Sequence, residues 1–309
     1  MNLEGRNFLT LKDFDRHELA GILEFAHEIK QTHKSRQTYD PMRGKMMAMI
    51  FQKPSLRTRV SFETGIYQLG GIGMFFSPQD LQMGRGETIH DTAKVLSRYV
   101  DGIMARVFEH QKILDLAQYA TVPVINGLSD FDHPCQALAD LFTIYEKKGR
   151  LKGLTLAYVG DGNNVLHSLI QGCVKVGMNI NYASPEGYTP LPSVVEEANE
   201  VAKATGSVIA HKNTAAEALE NADVIYTDVW VSMGQEEDEE KKIKALEQFQ
   251  LNTALMKKAK PDILVMHCLP AHRGQEITDE VMDGPNSIVF DQAENRMHTQ
   301  KAIMKLLMK

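Results

Sequence analysis

Within Lys53-Pro54-Ser55-Leu56-Arg57-Thr58-Arg59 the chain concentrates hydroxyl and guanidinium groups in a single short loop. The loop follows the apolar run Lys45–Gln52 and leads into Thr58–Leu69, which has the pattern of a helix. A helix start presents unpaired backbone N–H groups and partial positive charge, which suits a small phosphorylated anion. Ser55 can cap that helix, Thr58 adds a second hydroxyl, and Arg57 adds a permanently charged fork able to grip two phosphate oxygens. Taken singly, Ser55 would be an ordinary cap and the arginines surface cations. Strand, cap and arginine in one loop favour an anion site.

Three further places carry chemistry-bearing groups. In Asp132-His133-Pro134-Cys135-Gln136, the proline suits a first helical turn. His133 and Gln136, three apart, can face one ligand. Gly160-Asp161-Gly162-Asn163-Asn164 begins like a dinucleotide fingerprint, but Val165 stands where the third small residue is needed, which weakens a nicotinamide reading. His267-Cys268-Leu269-Pro270 follows an apolar run, and its strand-end position gives the expectation of a partly exposed thiol, as reactivity needs. Cys135 and Cys173 read as structural, since most buried cysteines are inert packing.

The elements that must position these groups alternate along the chain. Strands are predicted at Lys45–Gln52, Ile72–Ser77, Ile103–Phe108 and Val122–Ile125, with helices over Thr58–Leu69, Thr88–Val100 and His133–Lys147. The pattern then restarts, with strands at Leu154–Gly160, Asn179–Ala183, Val208–Ala210, Val224–Thr227 and Ile263–His267. Helices are predicted near Val165–Val176, Ser193–Ala204 and Asp291–Lys309. Such alternation implies βαβ units, so the fold class is α/β with two domains, each a parallel β-sheet flanked by helices. The polar break Lys147-Lys148-Gly149-Arg150 sets the expected boundary: a first domain over 1–148, completed by a C-terminal helix over 291–309, and a second over 149–290. In sheets of this kind ligands bind beyond the carboxyl ends of strands, where the loops above lie. The acidic run Glu236–Glu240 reads as a solvated helix start.

Composition narrows the class. The length of 309 residues, 43% hydrophobic and 24% charged, allows two ordinary globular cores. A net charge of −6 argues against nucleic acid as a partner. Three cysteines without a C-x-x-C pair form neither a disulfide framework nor a zinc motif, so no metal or organic cofactor is expected. No signal-peptide h-region and no membrane-length apolar run is present, and the expected location is the cytoplasm.

Ser-x-Arg-Thr-Arg followed by Val-Ser-Phe-Glu resembles the carbamoyl phosphate loop of the aspartate/ornithine carbamoyltransferase superfamily. Leu56 stands where the family usually has threonine. Asp-His-Pro-Cys-Gln, Ser232-Met233-Gly234 and His-Cys-Leu-Pro-Ala-His-Arg-Gly match further family motifs in the family's order, so the resemblance runs over essentially the whole chain. It implies that Ser55, Leu56 (through its N–H), Arg57, Thr58, Gln82, Arg106, His133, Gln136, Cys268, Leu269 and Arg296 bind carbamoyl phosphate. Arg106, His133 and Thr58 would polarise the carbonyl, and Gln136 would hold the NH2. It implies ornithine contacts at Asn164, Asp228, Ser232 and Met233, and catalytic roles for Cys268, Arg106, His133 and Asp228. Arg59 reads as a structural ion-pair partner.

The implied activity is transfer of a carbamoyl group from carbamoyl phosphate to the δ-amine of ornithine, without metal or cofactor, in an oligomer, typically a trimer with shared sites. Putrescine and N-acylated ornithine are rival acceptors. A nicotinamide oxidoreductase and a catalytically silent homologue are the alternatives outside the transferase class.

Overall fold

The computed structural model describes residues 2–81, 86–231 and 239–308. The chain forms two compact units, Met1–Phe142 with Glu294–Lys309, and Thr143–Ala293.

In order, the first part of the chain contains α1 (Arg16–Lys34), β1 (Met46–Phe51), α2 (Leu56–Gln68), β2 (Ile72–Phe76), α3 (Ile89–Leu96), β3 (Gly102–Arg106), α4 (His110–Tyr119), β4 (Val124–Leu128) and α5 (Pro134–Lys148). The four strands are all parallel, in the order β2-β1-β3-β4. The central strands β1 and β3 are almost wholly buried, whereas edge strand β2 is half-exposed. Burial on both faces explains why β1 reads Met-Met-Ala-Met-Ile-Phe without alternation. Its core contains Ala48, Ile50, Ile103, Ala105, Ile113 and Val124. The chain leaves β1 toward β2 and returns on the other side at β3, so the sheet has its switch point between β1 and β3. There Phe51 pairs with Arg106, and the Gln52 N–H donates to the Arg106 carbonyl at 2.8 Å. The final helix joins this unit from Glu294 onward. Lys30, on α1, anchors it by donating to Asn295 Oδ1 at 2.7 Å.

The second unit continues with β5 (Thr155–Val159), α6 (Asn164–Val176), β6 (Asn179–Ala183), α7 (Pro192–Thr205), β7 (Ile209–Lys212), α8 (Ala215–Leu219), β8 (Val224–Thr227), α9 (Glu239–Leu246), α10 (Thr253–Met256), β9 (Leu264–His267), α11 (Asp279–Met282) and the start of α12 (Val289–Leu307). Its five parallel strands run β7-β6-β5-β8-β9, with the switch point between β5 and β8. Tyr158 and Tyr226, paired in register on those two strands, stack at 5.9 Å and are fully buried. Trp230 closes the core after β8 among Val159, Phe249 and Val265.

The predicted strands and helices match these within a few residues, with one sizeable difference. The helix expected over Thr88–Val100 stops at Leu96, where the Ser97 hydroxyl turns back to the Ala93 carbonyl at 2.7 Å and the chain turns toward β3. The sequence reading gives no helix at α1, α4, α8, α10 or α11, although Asp15 and Glu18 form a capping box at the start of α1.

Candidate active site

In the first unit the loop after β1 becomes the start of α2. Ser55 is the N-cap, and its hydroxyl accepts from the Thr58 N–H at 3.3 Å. The first turn itself holds no acidic residue to neutralise the positive end of the helix. Leu56 is 76% exposed, which fits a residue whose backbone N–H, not its side chain, faces a ligand. Thr58 is fully buried. Its hydroxyl accepts from Arg296 Nη2 at 3.0 Å, so it keeps its own proton to donate. The helix α12 begins earlier than expected, and Arg296 therefore sits two turns inside it. Arg59 points elsewhere. It pairs with Glu63 at 3.3 Å and lies over the Phe75 ring at 3.8 Å, in keeping with a structural role.

Arg106 is the last residue of β3 and is 6% exposed, so it is no surface cation. The register between β3 and β4 shifts at Ala105/Arg106, which re-aims the strand end. His133 precedes α5 and its carbonyl accepts the N–H of Gln136 at 3.0 Å. Burial and the charges of Arg296, Arg106 and Arg57 hold the His133 pKa well below the usual value. Three cations thus converge on one neutral histidine in this unit. Neutral imidazole still carries one N–H and can donate to a developing oxyanion, as can Arg106.

A His133→Asn enzyme is expected to lose about 10²-fold or more in kcat/KM, the scale of one oxyanion donor. The shape of its pH–rate profile from about pH 6 to about pH 9 should match wild type, because a group already neutral there contributes no limb. A profile that lost its acid limb would mark His133 as a titrating base instead.

Gln136 is buried. Its Nε2 donates to Asp140 Oδ1 at 2.8 Å, while its Oε1 has no hydrogen-bond partner among the described residues. An unpartnered buried carbonyl is costly unless a ligand supplies the donor, and a carbamoyl NH2 is such a donor.

In the second unit the switch-point loops are tied together. Asn163 caps α6, its Oδ1 accepting from the Val165 and Leu166 N–H groups at 3.0 and 3.3 Å. Its Nδ2 donates to Asp228 Oδ2 at 2.7 Å. Asp228, just past β8, also accepts at Oδ1 from its neighbour's N–H in Val229 and from the Cys268 thiol, each at 2.8 Å. Both Asp228 and Cys268 are buried, so the partial exposure expected of the thiol is not found; its hydrogen bond to Asp228 holds it inside. Asn164 is half-buried at the first position of α6.

The second glycine of the Gly-Asp-Gly turn is explained without a nucleotide. A Cβ on Gly162 would overlap the backbone of Thr189 and Pro190, and the Gly162 N–H donates to the Tyr188 carbonyl at 2.7 Å. The close approach is to the chain's own loop. Asp161 forms a buried ion pair with Lys242 at 2.7 Å. Burial pushes its carboxyl up to about 6, against the lowering by Lys242.

Cys268 is held by its neighbours in the His-Cys-Leu-Pro motif and by Glu276, which the sequence alone did not mark. Leu269 adopts φ +58°, a left-handed conformation costly for a leucine. Its N–H donates to His267 Nδ1 at 2.8 Å, so His267 must carry its proton on Nε2, which donates to Glu276 at 3.0 Å. Both partners are fully buried. Asp228, His267 and Cys268 bring three donor atoms within 4.8 Å of one another, as a metal site would. With both ring nitrogens of His267 already engaged, the trio reads as a positioned acid–thiol pair instead. Leu269 is half-buried. Gln82, Ser232 and Met233 lie outside the described residues.

Asp140 and Glu276 carry no signal in the sequence, and Asn163 and His267 stand in its motifs only as neighbours of Asn164 and Cys268. Each acts through another side chain, and the structure adds that Asn163 caps α6.

Each unit thus places buried, charge-bearing loops at the switch point of a parallel sheet, the arrangement of a two-substrate enzyme with an anion site in its first unit. Residues 6–146 match the carbamoyl-P binding domain, and residues 152–307 the Asp/Orn binding domain, of aspartate/ornithine carbamoyltransferase. The chain belongs to the aspartate/ornithine carbamoyltransferase family. It is 59% identical to the ornithine carbamoyltransferase of Thermococcus kodakarensis over all of its length and 98% of that protein's. The solved ornithine carbamoyltransferase of Pyrococcus furiosus superposes with a TM-score of 0.97 at 55% identity, covering 100% of this chain and 98% of that one. That of Gloeobacter violaceus superposes at 0.89, with 45% identity and complete coverage of both chains.

Proposed function

We propose that this enzyme transfers the carbamoyl group of carbamoyl phosphate to the δ-amine of L-ornithine, giving L-citrulline and phosphate. The observation that carries the reading is the convergence of Arg57, Arg106 and Arg296 on the buried, neutral His133, together with an α2 start that Ser55 caps and that has no acidic residue in its first turn. Phosphate binds at the start of α2, to Ser55, Arg57, Thr58 and the Leu56 N–H. The carbonyl oxygen accepts from Arg106, His133 and the Thr58 hydroxyl, and the carbamoyl NH2 donates to Gln136 Oε1. Gln82, Arg296, Cys268 and Leu269 complete the donor's contacts.

The acceptor's α-ammonium pairs with Asp228 and its carboxylate with Asn164, with Ser232 and Met233 completing the amino-acid site. A side-chain amine with a pKa near ~10.4 must lose a proton before it attacks. The Cys268 thiol, already donating to Asp228, can receive that proton while passing its own to the carboxylate. Attack gives a tetrahedral intermediate whose oxyanion rests on the Arg106, His133 and Thr58 donors. Its collapse expels phosphate toward Arg57 and the α2 N-terminus.

A homotrimer with shared sites fits the apolar side chains that the first unit leaves exposed, among them Val60, Tyr67, Ile72 and Tyr99. The three free cysteines fit a reducing cytoplasm, and no described helix is long and apolar enough to cross a membrane. A role in arginine biosynthesis follows the anabolic ornithine carbamoyltransferase of Pyrococcus furiosus, 55% identical over the whole chain.

The test is a colorimetric ureido assay with carbamoyl phosphate and, in turn, ornithine, putrescine and Nα-acetylornithine. Ornithine should give citrulline, and putrescine, without an amino-acid head, should react at least about 10²-fold more slowly. Faster turnover of either rival would move the assignment to that amine, and no product with any of them would refute carbamoyl transfer.

A further inference from the structure

We infer that Asp140 is the positioning residue that sets the donor specificity of this site, by fixing which end of the Gln136 amide faces the ligand. The inference rests on the reading of the first unit as a carbamoyl phosphate site.

A glutamine amide has two ends of nearly equal shape and opposite hydrogen-bonding character: two N–H donors at one end, a carbonyl acceptor at the other. With nothing to choose between them, the amide rotates, and half of its orientations would present N–H groups to a ligand that itself needs an acceptor. Gln136 and Asp140 stand one turn apart on the same face of α5, both buried, at 1% and 0% exposure. Their contact, Nε2 to Oδ1 at 2.8 Å, fixes the donor end. A carboxylate can only accept, so the reversed amide would set carbonyl against carboxylate in a buried place, at the cost of a lost bond and a repulsion. The carbonyl end is therefore held toward the remaining side, and it is the end for which the described residues supply no donor.

The ligand chemistry selected is a primary amide or carbamoyl group, which brings N–H donors. An acyl phosphate with a methyl group in that place, such as acetyl phosphate, has the same phosphate and carbonyl but leaves Gln136 Oε1 unmet. Discrimination of this kind is strong where a polar group built to be paired is left bare.

The experiment measures the KM for carbamoyl phosphate and the inhibition constant of acetyl phosphate in wild type, Gln136→Ala, Asp140→Asn, Asp140→Glu and the double variant Gln136→Ala/Asp140→Asn. Wild type should bind carbamoyl phosphate better, and Gln136→Ala should lose that preference. Failure of either of these two arms strikes the reading of the site and not the role of Asp140. In Asp140→Asn the neighbour offers both a donor and an acceptor, so the glutamine can reverse. The preference for carbamoyl phosphate should fall about tenfold, with acetyl phosphate affected little. Asp140→Glu, still acceptor-only, should keep the preference, and the double variant should be no less selective than Gln136→Ala alone.

If Gln136→Ala loses selectivity while Asp140→Asn retains it, or loses both ligands equally, Asp140 does not act through the amide and the inference is overturned. Should Asp140→Asn not fold, a crystal structure of wild type with phosphonoacetamide decides. The ligand nitrogen should lie within hydrogen-bond distance of the end of Gln136 that faces away from Asp140. A ligand nitrogen on Asp140 itself, or a Gln136 far end without contact, would overturn it.

Discussion

An Arg57→Ala enzyme is expected to fold and to lose about 10³-fold in kcat/KM, with the loss confined to steps that involve the donor. The side chain is half-buried at the second position of α2, and its charge reaches His133. Its removal leaves the Ser55 cap and the buried Thr58 in place, so the helix should persist. Phosphate would keep the helix N-terminus but lose its forked, permanently charged partner, both in the bound donor and as charge grows on the departing group. Steady-state kinetics with a thermal melt as control checks this. Near-normal turnover by Arg57→Ala would remove the loop after β1 from the mechanism, and a collapsed melt would recast Arg57 as structural.

The second large effect is expected at Asp228. The carboxylate accepts from Val229, Cys268 and Asn163, so it ties the loops after β5, β8 and β9 to one group. Asparagine is nearly isosteric but must set an NH2 against at least one of those donors, and it carries no charge for an ammonium ion. Asp228→Asn should therefore reduce kcat/KM for ornithine about 10³-fold, combining a lost charge-assisted bond with misorientation of Cys268. Binding of carbamoyl phosphate, read by titration without acceptor, should change little. A rise in the carbamoyl phosphate constant alone would reverse the assignment of the two units to their substrates.

Much of this was legible in the sequence because the features involved are local. The two parallel sheets follow from apolar runs such as Met46–Phe51 and Thr155–Val159 alternating with helical spacing, and the anion loop from a cap and an arginine adjacent in the chain. What the sequence could not show depends on contacts between distant residues. Arg106 reads as a strand-end cation until the pairing of Phe51 with Arg106 puts it beside the α2 loop. Lys242 reads as part of a solvated charged run, yet it is 6% exposed and paired with Asp161, which lies 81 residues away. The Gly-Asp-Gly turn resembles a phosphate cradle until Thr189 and Pro190 fill the space. Glu276 and His267, fully buried, shape the Cys268 loop through a bond that no short motif encodes.

The most direct measurement is a crystal structure of the enzyme soaked with carbamoyl phosphate. Phosphate oxygens should sit on the Ser55–Thr58 turn and Arg57, with the carbonyl oxygen on Arg106 and His133 and the nitrogen on Gln136. Density for the compound at any other place, with that turn holding only water, would contradict the account.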